Sequence, residues 1–518
     1  MQVSILWVDD EIDFLRAHII FLEQKGYKVL TASNGNEAIE LVQKNQFDIV
    51  FLDENMPGLS GLDTLPLIKE LKPTLPVVMV TKSEEENIMD MAVGSQIADY
   101  LIKPVNPMQI ILTIKKNVHA RDLISEKQVV DFRLEFSKVS QSISHARTPN
   151  EWSDIYRKLV SWQLKLIEST DPSVKQIFDM LLSDANSEFA KYIRNNYIDW
   201  FNPKLPDKPL LSSNLLRSKV FPIVDTGQSV LLVLIDNLRY DQWKAIEPLV
   251  TSEWRIETDE TYFSILPTAT QYARNAIFAG LMPLEIQKTY PNLWVFDEED
   301  EGKNMFEQEL LNAQLQRLGK NYKTYYEKSN TLKTGQKIVD NLKEILKNNL
   351  SVLVYNFVDM MSHARTDSEM MKGLASDESA YLSRTRSWFQ HSDLKTLLSE
   401  AVKHNIRVVI TTDHGAIRVQ NPVKVIGDKA TSTNLRYKLG RSLNYNAKEV
   451  FDIRKPEEAH LPKPNVSSSF IFAYGNNFIA YPNNYNYYVN YYKNTFQHGG
   501  ISLEEMIIPF VVLSPINK

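Results

Sequence analysis

The sequence predicts an α/β protein of several domains. Three observations support this prediction. In residues 1–120, short apolar runs alternate with amphipathic segments, which predicts five βα units and a parallel sheet covered by helices on both faces. Residues 121–208 carry a helical period that prolines interrupt. Residues 209–518 return to apolar, β-branched runs that end in aspartate or histidine, which predicts a second α/β domain.

Length and composition narrow the possible functions. The 518 residues are enough for about three domains, and 43% hydrophobic with 24% charged residues is usual for globular proteins. A net charge of -6 argues against a surface built for non-specific nucleic-acid binding. The chain has no cysteine, which excludes a disulfide framework, a thiolate nucleophile and cysteine-ligated zinc.

The first residues lead directly into an apolar strand, Val3–Val8. They lack the basic region, the apolar core and the cleavage site of a signal peptide. No apolar run approaches the roughly 20 residues of a membrane span. We therefore expect a cytoplasmic protein without membrane insertion.

The first domain is predicted element by element from its apolar period. The predicted strands are Val3–Val8, Lys28–Ala32, Phe47–Leu52, Pro76–Val80 and Ala98–Ile102. The predicted helices are Ile12–Lys25, Asn36–Asn45, Leu62–Leu71 and Glu84–Val93. In such a sheet, residues that follow the strands meet at one edge, where ligands bind.

Polar side chains directly follow four of these strands. Asp9, Asp10 and Asp53 would form a cluster of carboxylates at the sheet edge. Because like charges this close require a cation, and because carboxylate oxygens suit a hard divalent ion, the cluster predicts a Mg²⁺ site. Lys103 adds a positive charge there, and Thr81 adds a hydroxyl.

Residues 1–120 resemble the receiver domain of two-component response regulators, which has a flavodoxin-like fold. The resemblance rests on Val8-Asp9-Asp10, Leu52-Asp53 with Met56-Pro57-Gly58, Thr81, and Lys103-Pro104. It implies that a sensor histidine kinase phosphorylates Asp53.

The same resemblance implies the roles of the neighbouring residues. Mg²⁺ would be held by Asp10, Asp53 and the backbone carbonyl of Asn55, with Asp9 acting through water. The switch residues would be Thr81, Tyr100 and Lys103. Phosphorylation would favour homodimers through the surface near Tyr100.

The second domain, residues 121–208, is predicted to be a helical bundle that links the other two. The helical segments are Val118–Ser144, Trp152–Glu168 and Val174–Trp200. A DNA-binding helix-turn-helix is common after a receiver, but no short basic recognition helix is present, which favours a mechanical connector. The three prolines of Asn202–Pro209 mark the boundary to the third domain.

In the third domain, residues 209–518, five segments place polar residues beside predicted strands. The strand Ser229–Ile235 leads to Asp236, and the strand Tyr262–Leu266 leads to Pro267-Thr268-Ala269-Thr270. The strand Val352–Val358 leads to Asp359 and His363, and the apolar run that begins at Ile406 leads to Asp413-His414-Gly415. The fifth segment, Gln497-His498-Gly499-Gly500, precedes the strand Ile507–Leu513. The region Lys303–Leu350 is predicted to be helical.

Three aspartates and three histidines at one sheet edge predict a metal site with nitrogen and oxygen ligands only, which suits zinc or manganese. If Asp359 opens a helical turn, Asp359 and His363 share one face of the helix. Six ligands are too many for one tetrahedral ion and divide between two. Two ions about 3.5–4 Å apart stabilise both the attacking and the leaving oxygen of a displacement at phosphorus.

These segments, in this order, resemble the alkaline phosphatase superfamily and, within it, the PglZ-type domains. The resemblance implies an alkaline-phosphatase-like α/β fold with Thr270 as the nucleophile. It places Asp236, Thr270, Asp413 and His414 on one Zn²⁺ ion, and Asp359, His363 and His498 on the other, with Mn²⁺ as a possible substitute. It implies a phosphodiesterase that acts on nucleotide or oligonucleotide phosphodiesters. Arg274 and Asn275, just past the nucleophile, could bind the non-bridging phosphoryl oxygens.

The three domains together resemble the PorX-type response regulators associated with type IX secretion. The implied partners are the sensor histidine kinase and either the secretion machinery or a sigma factor. Two alternatives stay open: the same metal site could serve a phosphomonoesterase, sulfatase or phosphomutase, or it could stabilise a scaffold that acts through protein contacts. The basic residues of Lys424–Arg441, Arg436 among them, could line a phosphate-binding mouth or lie on a solvated loop.

Overall fold

The computed structural model describes residues 3–82, 97–167, 172–296, 304–329, 332–367, 377–404, 406–428, 431–482 and 484–516. The chain forms two compact units, Met1–Asp131 and Phe132–Lys518. None of the helices in the described ranges is both long enough and apolar enough to cross a membrane.

The N-terminal unit contains one parallel sheet. Its strands are β1 (Ser4–Val8), β2 (Lys28–Ala32), β3 (Ile49–Asp53), β4 (Val77–Thr81) and β5 (Asp99–Ile102), in the order β2-β1-β3-β4-β5. Its helices are α1 (Arg16–Gln24), α2 (Gly35–Lys44), α3 (Gly61–Leu71) and α4 (Pro107–Ile114), with a 3₁₀ turn at Ile12–Leu15 and a π turn at Lys115–His119. The predicted five-stranded parallel sheet is confirmed, whereas the predicted helix Glu84–Val93 lies outside the described residues.

Helices cover both faces of this sheet, because successive side chains of a strand point to opposite sides. On one face, Trp7 of β1 belongs to the same buried cluster as Ile110 of α4. On the other face, Val8 clusters with Val42 of α2 and Leu65 of α3. The apolar runs of the strands are therefore buried on both sides, and polar residues are left for the strand ends.

Three long helices follow, as the helical period predicts. They are α5 (Ala120–His145), α6 (Pro149–Leu166) and α7 (Pro172–Asn196). Helix α6 begins with a capping box, in which the Thr148 hydroxyl accepts from the Glu151 N–H and the Glu151 carboxylate accepts from the Thr148 N–H. The rings of Trp152 and Phe189 lie 5.2 Å apart and join α6 to α7.

The rest of the C-terminal unit is a larger α/β assembly. Its main strands are β6 (Val230–Ile235), β7 (Trp254–Phe263), β8 (Thr324–Ser329), β9 (Leu350–Tyr355), β10 (Arg407–Thr411) and β18 (Ile507–Pro515). Its helices are α8 (Phe221–Val224), α9 (Tyr240–Val250), α10 (Thr270–Ala279), α11 (Pro283–Thr289), α12 (Glu307–Arg317), α13 (Leu332–Asp340), α14 (Leu342–Ile345), α15 (Phe357–Asp367), α16 (Glu378–His391), α17 (Asp393–Ala401), α18 (Tyr485–Tyr492) and α19 (Leu503–Met506).

The six main strands form one sheet in the order β7-β18-β10-β6-β9-β8. Strands β6, β8, β9 and β10 are mutually parallel, and β18 runs antiparallel to both β10 and β7. The carboxyl ends of β6, β7, β9 and β10 therefore meet the start of β18 at a single edge. All five segments with predicted site residues leave or enter the sheet at this edge.

Small sheets, which were not predicted from the sequence, lie between β10 and β18 in the chain. Their strands are β11 (Ile417–Arg418), β12 (Asn421–Lys424), β13 (Tyr437–Arg441), β14 (Val450–Ile453), β15 (Ser468–Ala473), β16 (Asn477–Ala480) and β17 (Phe496–Gln497). The pairing of β11 with β17 brings the chain that leaves β10 back beside the segment that precedes β18.

In the large sheet, the main differences from the predicted elements concern β7, β8 and β9. The region predicted to be helical from Lys303 to Leu350 contains β8, an edge strand whose residues are all half-buried, so that neither a helical nor a strand period stands out. Strand β9 ends at Tyr355 rather than Val358, because Met360 N–H donates to the Asn356 carbonyl and opens helix α15. Strand β7 ends at Phe263, before the predicted end at Leu266.

Arg436 is buried rather than exposed on a solvated loop or at a phosphate-binding mouth. Its guanidinium donates to both carboxylate oxygens of Glu505, at 3.2 and 2.6 Å. Glu505 also accepts from the N–H of Gly500 at 2.8 Å and from the hydroxyl of Ser502 at 2.7 Å. This ion pair joins the small sheets to the segment that leads into β18.

We expect Arg436→Met to destabilise the C-terminal unit by about 3–5 kcal/mol, because it leaves the buried Glu505 carboxylate without its cation. Urea unfolding followed by tryptophan fluorescence measures this unit, since all but one of the eight tryptophans lie in it. Arg441→Met is the matched control, because Arg441 ends β13 with an exposed side chain. Equal midpoints for the two variants would contradict the prediction.

Candidate functional site

Asp236, Asp413 and His414 form a buried cluster at the shared sheet edge. One ligand atom from each lies within 4.8 Å of the others. The three residues are at most 3% exposed. Buried groups of this kind are rarely left without a compensating positive charge.

The chain turns sharply after β6, which brings Asp236 into the site. Asn237 has a φ of 64°, a left-handed conformation that asparagine tolerates better than most residues. Its N–H donates to Asp413 Oδ1 at 3.4 Å, and the Leu238 N–H donates to the Thr412 hydroxyl at 3.0 Å. These bonds hold the ends of β6 and β10 side by side.

Gly415 lets the chain after β10 approach the turn before β18. A Cβ atom at this position would lie 2.1 Å from the backbone carbonyl oxygen of Glu504. The Gly415 N–H donates to the carbonyl of Glu505 at 3.2 Å. Only glycine fits this close backbone contact, which fixes the direction in which His414 enters the site.

Thr270 is the first residue of helix α10 and lies at the same cluster. Its Oγ1 is 3.1 Å from His414 Nε2 and 3.5 Å from Asp236 Oδ1. The preceding Ala269 is extended, so the hydroxyl sits where the chain enters the helix. The positive end of the helix dipole therefore points toward this position.

Asp359 and His498 form a second group beside the first. Asp359 lies in the first turn of α15, and its Oδ1 is 3.6 Å from His498 Nε2. The rings of His414 and His498 are stacked with centroids 4.2 Å apart, so the two groups adjoin. The backbone of His363 lies in α15 as expected, but its side chain lies outside the described part of the structure.

Both histidines are oriented by backbone carbonyls. The Nδ1–H of His414 donates to the carbonyl of Gly415 at 3.2 Å, and the Nδ1–H of His498 donates to that of Thr268 at 3.1 Å. A carbonyl can only accept, so the other ring nitrogen, Nε2, carries the lone pair in the neutral ring. This is the usual arrangement of histidines that bind metal ions.

Arg274 supplies positive charge to the cluster. Its buried guanidinium contacts Asp236, donates to Asp413 Oδ2 from Nε at 2.9 Å, and lies 3.5 Å from Glu307 Oε1. It was predicted to bind phosphoryl oxygens, whereas the structure places it against three carboxylates. Asn275, predicted for the same role, is 2% exposed on α10.

One guanidinium does not balance the charge of this cluster. Burial, with the charges of Asp413 and Asp359, raises the pKa of Asp236 well above its ordinary value despite Arg274. Burial acts on Asp413 in the same sense, but Arg274 and His414 outweigh it and hold the pKa of Asp413 below its ordinary value. A divalent cation would supply the missing positive charge, and the carboxylate and imidazole donors suit zinc or manganese.

The N-terminal unit has a second cluster, formed by Asp9, Asp10 and Asp53. Ligand atoms of the three lie within 4.8 Å of one another. Lys103 Nζ is 2.8 Å from Asp9 Oδ2 and 3.0 Å from Asp53 Oδ1. Burial raises the pKa of Asp53, and the charges of Asp9 and Asp10 act in the same direction against Lys103. An oxygen-only set of this kind fits Mg²⁺.

The remaining predicted receiver residues lie around this cluster. Thr81 is buried, and its hydroxyl donates to Glu54 Oε2 at 2.5 Å. Asn55 is exposed beside Asp53, and the Tyr100 side chain is 43% exposed on β5. The contact between Thr81 and Glu54 was not predicted, although Glu54 directly follows Asp53 in the sequence.

Asn237 is a further contact residue that was not predicted. It lies at the cluster of Asp236, Asp413 and His414. Its side-chain amide donates to Asp359 Oδ1 at 3.2 Å, while its backbone N–H reaches Asp413. It therefore contacts a predicted ligand of each ion. The available signal was its position directly after Asp236 at a strand end.

An N-terminal α/β unit with a carboxylate cluster beside a lysine, and a C-terminal α/β unit with a buried aspartate and histidine cluster, fit a response regulator with a phosphatase-like third domain. The BREX system PglZ alkaline phosphatase-like domain matches residues 215–513, more than half of the chain. The chain therefore belongs to the PglZ family. The response regulator receiver domain matches residues 5–115, and the PorX response regulator linker domain matches residues 122–201. The predicted PorX-type architecture and alkaline-phosphatase-like fold class are thereby confirmed.

Curated relatives match a smaller part of the chain. The alginate biosynthesis transcriptional regulatory protein AlgB of Pseudomonas aeruginosa is 35% identical over 130 residues, which cover 25% of this chain and 29% of AlgB. The transcriptional regulatory protein SrrA of Staphylococcus aureus is 32% identical over 142 residues, which cover 25% of this chain and 58% of SrrA. The chain thus spans less than two thirds of the length of either protein.

Solved structures of receiver domains are also similar. A CheY-like response regulator receiver domain protein from Methanospirillum hungatei is 26% identical, with 23% of this chain and 96% of that chain covered and a TM-score of 0.23. A response regulator receiver domain protein from Clostridium thermocellum is 32% identical, with 23% and 98% covered and a TM-score of 0.23.

We expect Zn²⁺ or Mn²⁺ to raise the thermal unfolding midpoint of protein first treated with EDTA. A ligand that binds only the folded state stabilises it, by about 2.7 kcal/mol at 100 times its Kd. Asp413→Asn should abolish the shift, because it removes a buried negative charge from the ligand set. Asp225→Asn, at an exposed carboxylate that pairs with Lys320, is the control. A wild-type shift in Asp413→Asn would exclude this cluster as the source.

Proposed function

We propose that the chain is a cytoplasmic response regulator whose PglZ domain hydrolyses phosphodiesters, with nucleotides or oligonucleotides as the substrate class. The observation that carries this proposal is the position of Thr270, whose hydroxyl begins helix α10 and lies 3.1 Å from His414 Nε2 beside buried carboxylates. A hydroxyl in such surroundings is suited to nucleophilic attack at phosphorus. Membership of an alkaline phosphatase-like family supports the same reaction class.

In the proposed reaction, Thr270 Oγ1 bonds to phosphorus as the bond to the leaving alcohol breaks. The proton of the threonine hydroxyl passes to solvent, and solvent protonates the leaving oxygen. The other ester group stays on phosphorus, so the intermediate is a threonyl phosphodiester. Water then hydrolyses its bond to Thr270, which restores the hydroxyl and releases the phosphomonoester product. The N-terminal N–H groups of α10 offer donors to the phosphoryl oxygens. Divalent ions, when bound by the ligand sets named above, would lower the pKa of the attacking hydroxyl and stabilise charge on the phosphoryl group.

The pairing of Arg274 favours a diester over a monoester. A phosphomonoester carries a second negative charge at neutral pH, which a site must balance with additional positive charge. The guanidinium of Arg274 is already engaged with Asp236, Asp413 and Glu307. A diester carries a single negative charge, so its binding requires less additional positive charge from this site.

We expect Thr270→Ala to lower hydrolysis of bis(p-nitrophenyl) phosphate by on the order of 10³-fold or more, because it removes the nucleophile while leaving the carboxylate and imidazole ligands. Parallel assays with p-nitrophenyl phosphate and p-nitrophenyl sulfate separate a diesterase from a monoesterase or a sulfatase. Thr251→Ala, at an exposed threonine after α9, is the control.

Three results would contradict this assignment. A preference for the monoester or the sulfate would favour the corresponding alternative enzyme. Full diesterase activity in Thr270→Ala would remove Thr270 from the mechanism. Bound metal without cleavage of any ester would favour the metal-stabilised scaffold.

We propose in addition that a sensor histidine kinase phosphorylates Asp53 and that phosphorylation favours homodimers. Support comes from the receiver match and from the carboxylate cluster with Lys103. Large apolar side chains are exposed on β5 and α4: Tyr100 at 43%, Met108 at 61% and Leu112 at 62%. Burial of these side chains between two receivers would stabilise a dimer. The resemblance to PorX-type regulators supports type IX secretion as the regulated process, with the secretion machinery or a sigma factor as a partner.

We expect an acyl-phosphate donor with Mg²⁺ to shift the wild type toward a dimer in gel filtration, and Asp53→Ala to remove this response. The physical reason is that only a phosphoryl group on Asp53 would draw Thr81 and Tyr100 into a new arrangement. Asp13→Ala, at an exposed carboxylate in the neighbouring turn, should respond like the wild type. A dimer shift that persists in Asp53→Ala would exclude this mechanism.

A further inference from the structure

Helices α6 and α7, with the residues that directly follow α7, contact the α/β part of the C-terminal unit close to the candidate metal site. Three hydrogen bonds stand out, because each reaches a segment that carries a predicted site residue. Gln163 Nε2 donates to Asp241 Oδ2 at 3.1 Å, the Leu266 N–H donates to the Tyr197 hydroxyl at 2.8 Å, and the Leu503 N–H donates to Asn186 Oδ1 at 2.8 Å.

Each of these bonds reaches a residue that is close in sequence to a predicted site residue. Asp241 follows Asp236 at the carboxyl end of β6. Leu266 precedes the Pro267–Thr270 segment that leads into α10. Leu503 begins α19, shortly after His498. The helical pair is thus bonded to three of the five segments that build the site.

Asn186 makes the most extensive of these contacts. The side chain is 4% exposed, and its Nδ2 donates to both carboxylate oxygens of Glu504, at 3.1 and 3.3 Å. Its Oδ1 accepts from the Leu503 N–H, so both ends of the amide are used. An aspartate or an alanine could not reproduce this combination of donor and acceptor.

The turn that Asn186 holds is tied to both candidate ligand loops. In this turn, the backbone carbonyl of Glu504 lies against Gly415, the residue after His414. At the other end, Gly500 N–H donates to the Glu505 side chain, and Gly500 lies two residues after His498. Movement of this turn would therefore displace His414 and His498 together.

The turn also carries a buried carboxyl group, that of Glu504, whose pKa depends on its charge and hydrogen-bond partners. Burial raises the pKa of Glu504 to about 7, while Arg239 and the hydrogen bond from Asn186 oppose this shift. Loss of the Asn186 amide would leave a buried carboxyl without its side-chain donor. Such a group moves toward solvent or another donor when it can.

We infer that Asn186 is a positioning residue through which the helical pair fixes the turn of residues 500–505, and thereby sets how tightly the candidate site binds divalent metal ions. The inference deepens the proposed function and rests on its metal site. It assigns the helical segment a role in building the site, beyond joining two domains. A bond that only adds stability would leave metal affinity unchanged in the folded protein.

The test uses the full chain and a reversal of the hydrogen bond. Asn186→Asp sets two carboxyl groups face to face, and Asn186→Asp combined with Glu504→Gln restores a donor and acceptor pair with the opposite polarity. Asn196→Ala is the matched control, because Asn196 lies on the same helix and, within the described residues, its amide donates to the Tyr192 carbonyl of that helix at 2.8 Å. Zn²⁺ affinity is measured by competition with a chromogenic chelator, and hydrogen exchange is measured in residues 495–506.

We expect Asn186→Asp to bind Zn²⁺ at least about tenfold more weakly than the wild type, the lower end of losses seen when groups that orient metal ligands are removed. Hydrogen exchange of residues 495–506 should quicken in the same variant. The double variant should recover most of the affinity, and Asn196→Ala should match the wild type in both measurements.

Two results would overturn the inference: wild-type Zn²⁺ affinity in Asn186→Asp, or a double variant as weak as the single one. Neither depends on catalysis. A wild type that binds Zn²⁺ but cleaves no diester would refute the proposed reaction and leave the inference standing. A wild type that binds no divalent ion would refute the proposed metal site, and with it the role of Asn186 in metal affinity.

Discussion

The structure of the C-terminal unit depends on the burial of carboxylates at one sheet edge. Asp236 and Asp413 are almost fully buried a few ångströms apart, an arrangement that repels itself unless positive charge lies between them. Arg274 provides part of that charge, and the oriented histidines with the remaining carboxylates provide a place for a cation. The close backbone contacts around this edge serve to keep the two carboxylates buried together. A loose edge would let water enter and let the two charges move apart.

The residues of this cluster were predictable because their signals are local. An apolar β-branched run fixes where a buried strand ends, and parallel strands bring those ends to one edge, so Asp236, Asp413 and His414 followed from sequence alone. The contacts of Arg274 were not predictable, because its partners lie 33 to 139 residues away in sequence, as the ion pairs with Glu307 and Asp413 show. The edge strand β8 was missed because all of its residues are half-buried, and the small sheets were missed because most of their strands are short and their pairing is long-range.

The receiver solves the same electrostatic problem with a different cation. Lys103 reaches Asp9 and Asp53 with a flexible side chain that is 14% exposed, whereas the guanidinium of Arg274 is 1% exposed and held by several carboxylates. A lysine ammonium is a compact charge on a mobile stem, and an arginine fork is fixed in direction. The receiver cluster is therefore suited to rearrange in the proposed phosphorylation of Asp53, and the other cluster is suited to remain in place.

A fixed arginine has a consequence for metal binding. A divalent ion bound to Asp236 and Asp413 would share these carboxylates with Arg274. Repulsion between the ion and the guanidinium would therefore reduce the affinity of the site for the ion. The net affinity then depends strongly on how well the histidines are placed, because they add neutral donors without adding repulsion. His414 and His498 are placed by the backbone of Gly415 and Thr268, and those segments rest on the turn that Asn186 holds. In the proposed role of Asn186, the helical pair would thus act on two neutral ligands, whose contribution is not limited by charge.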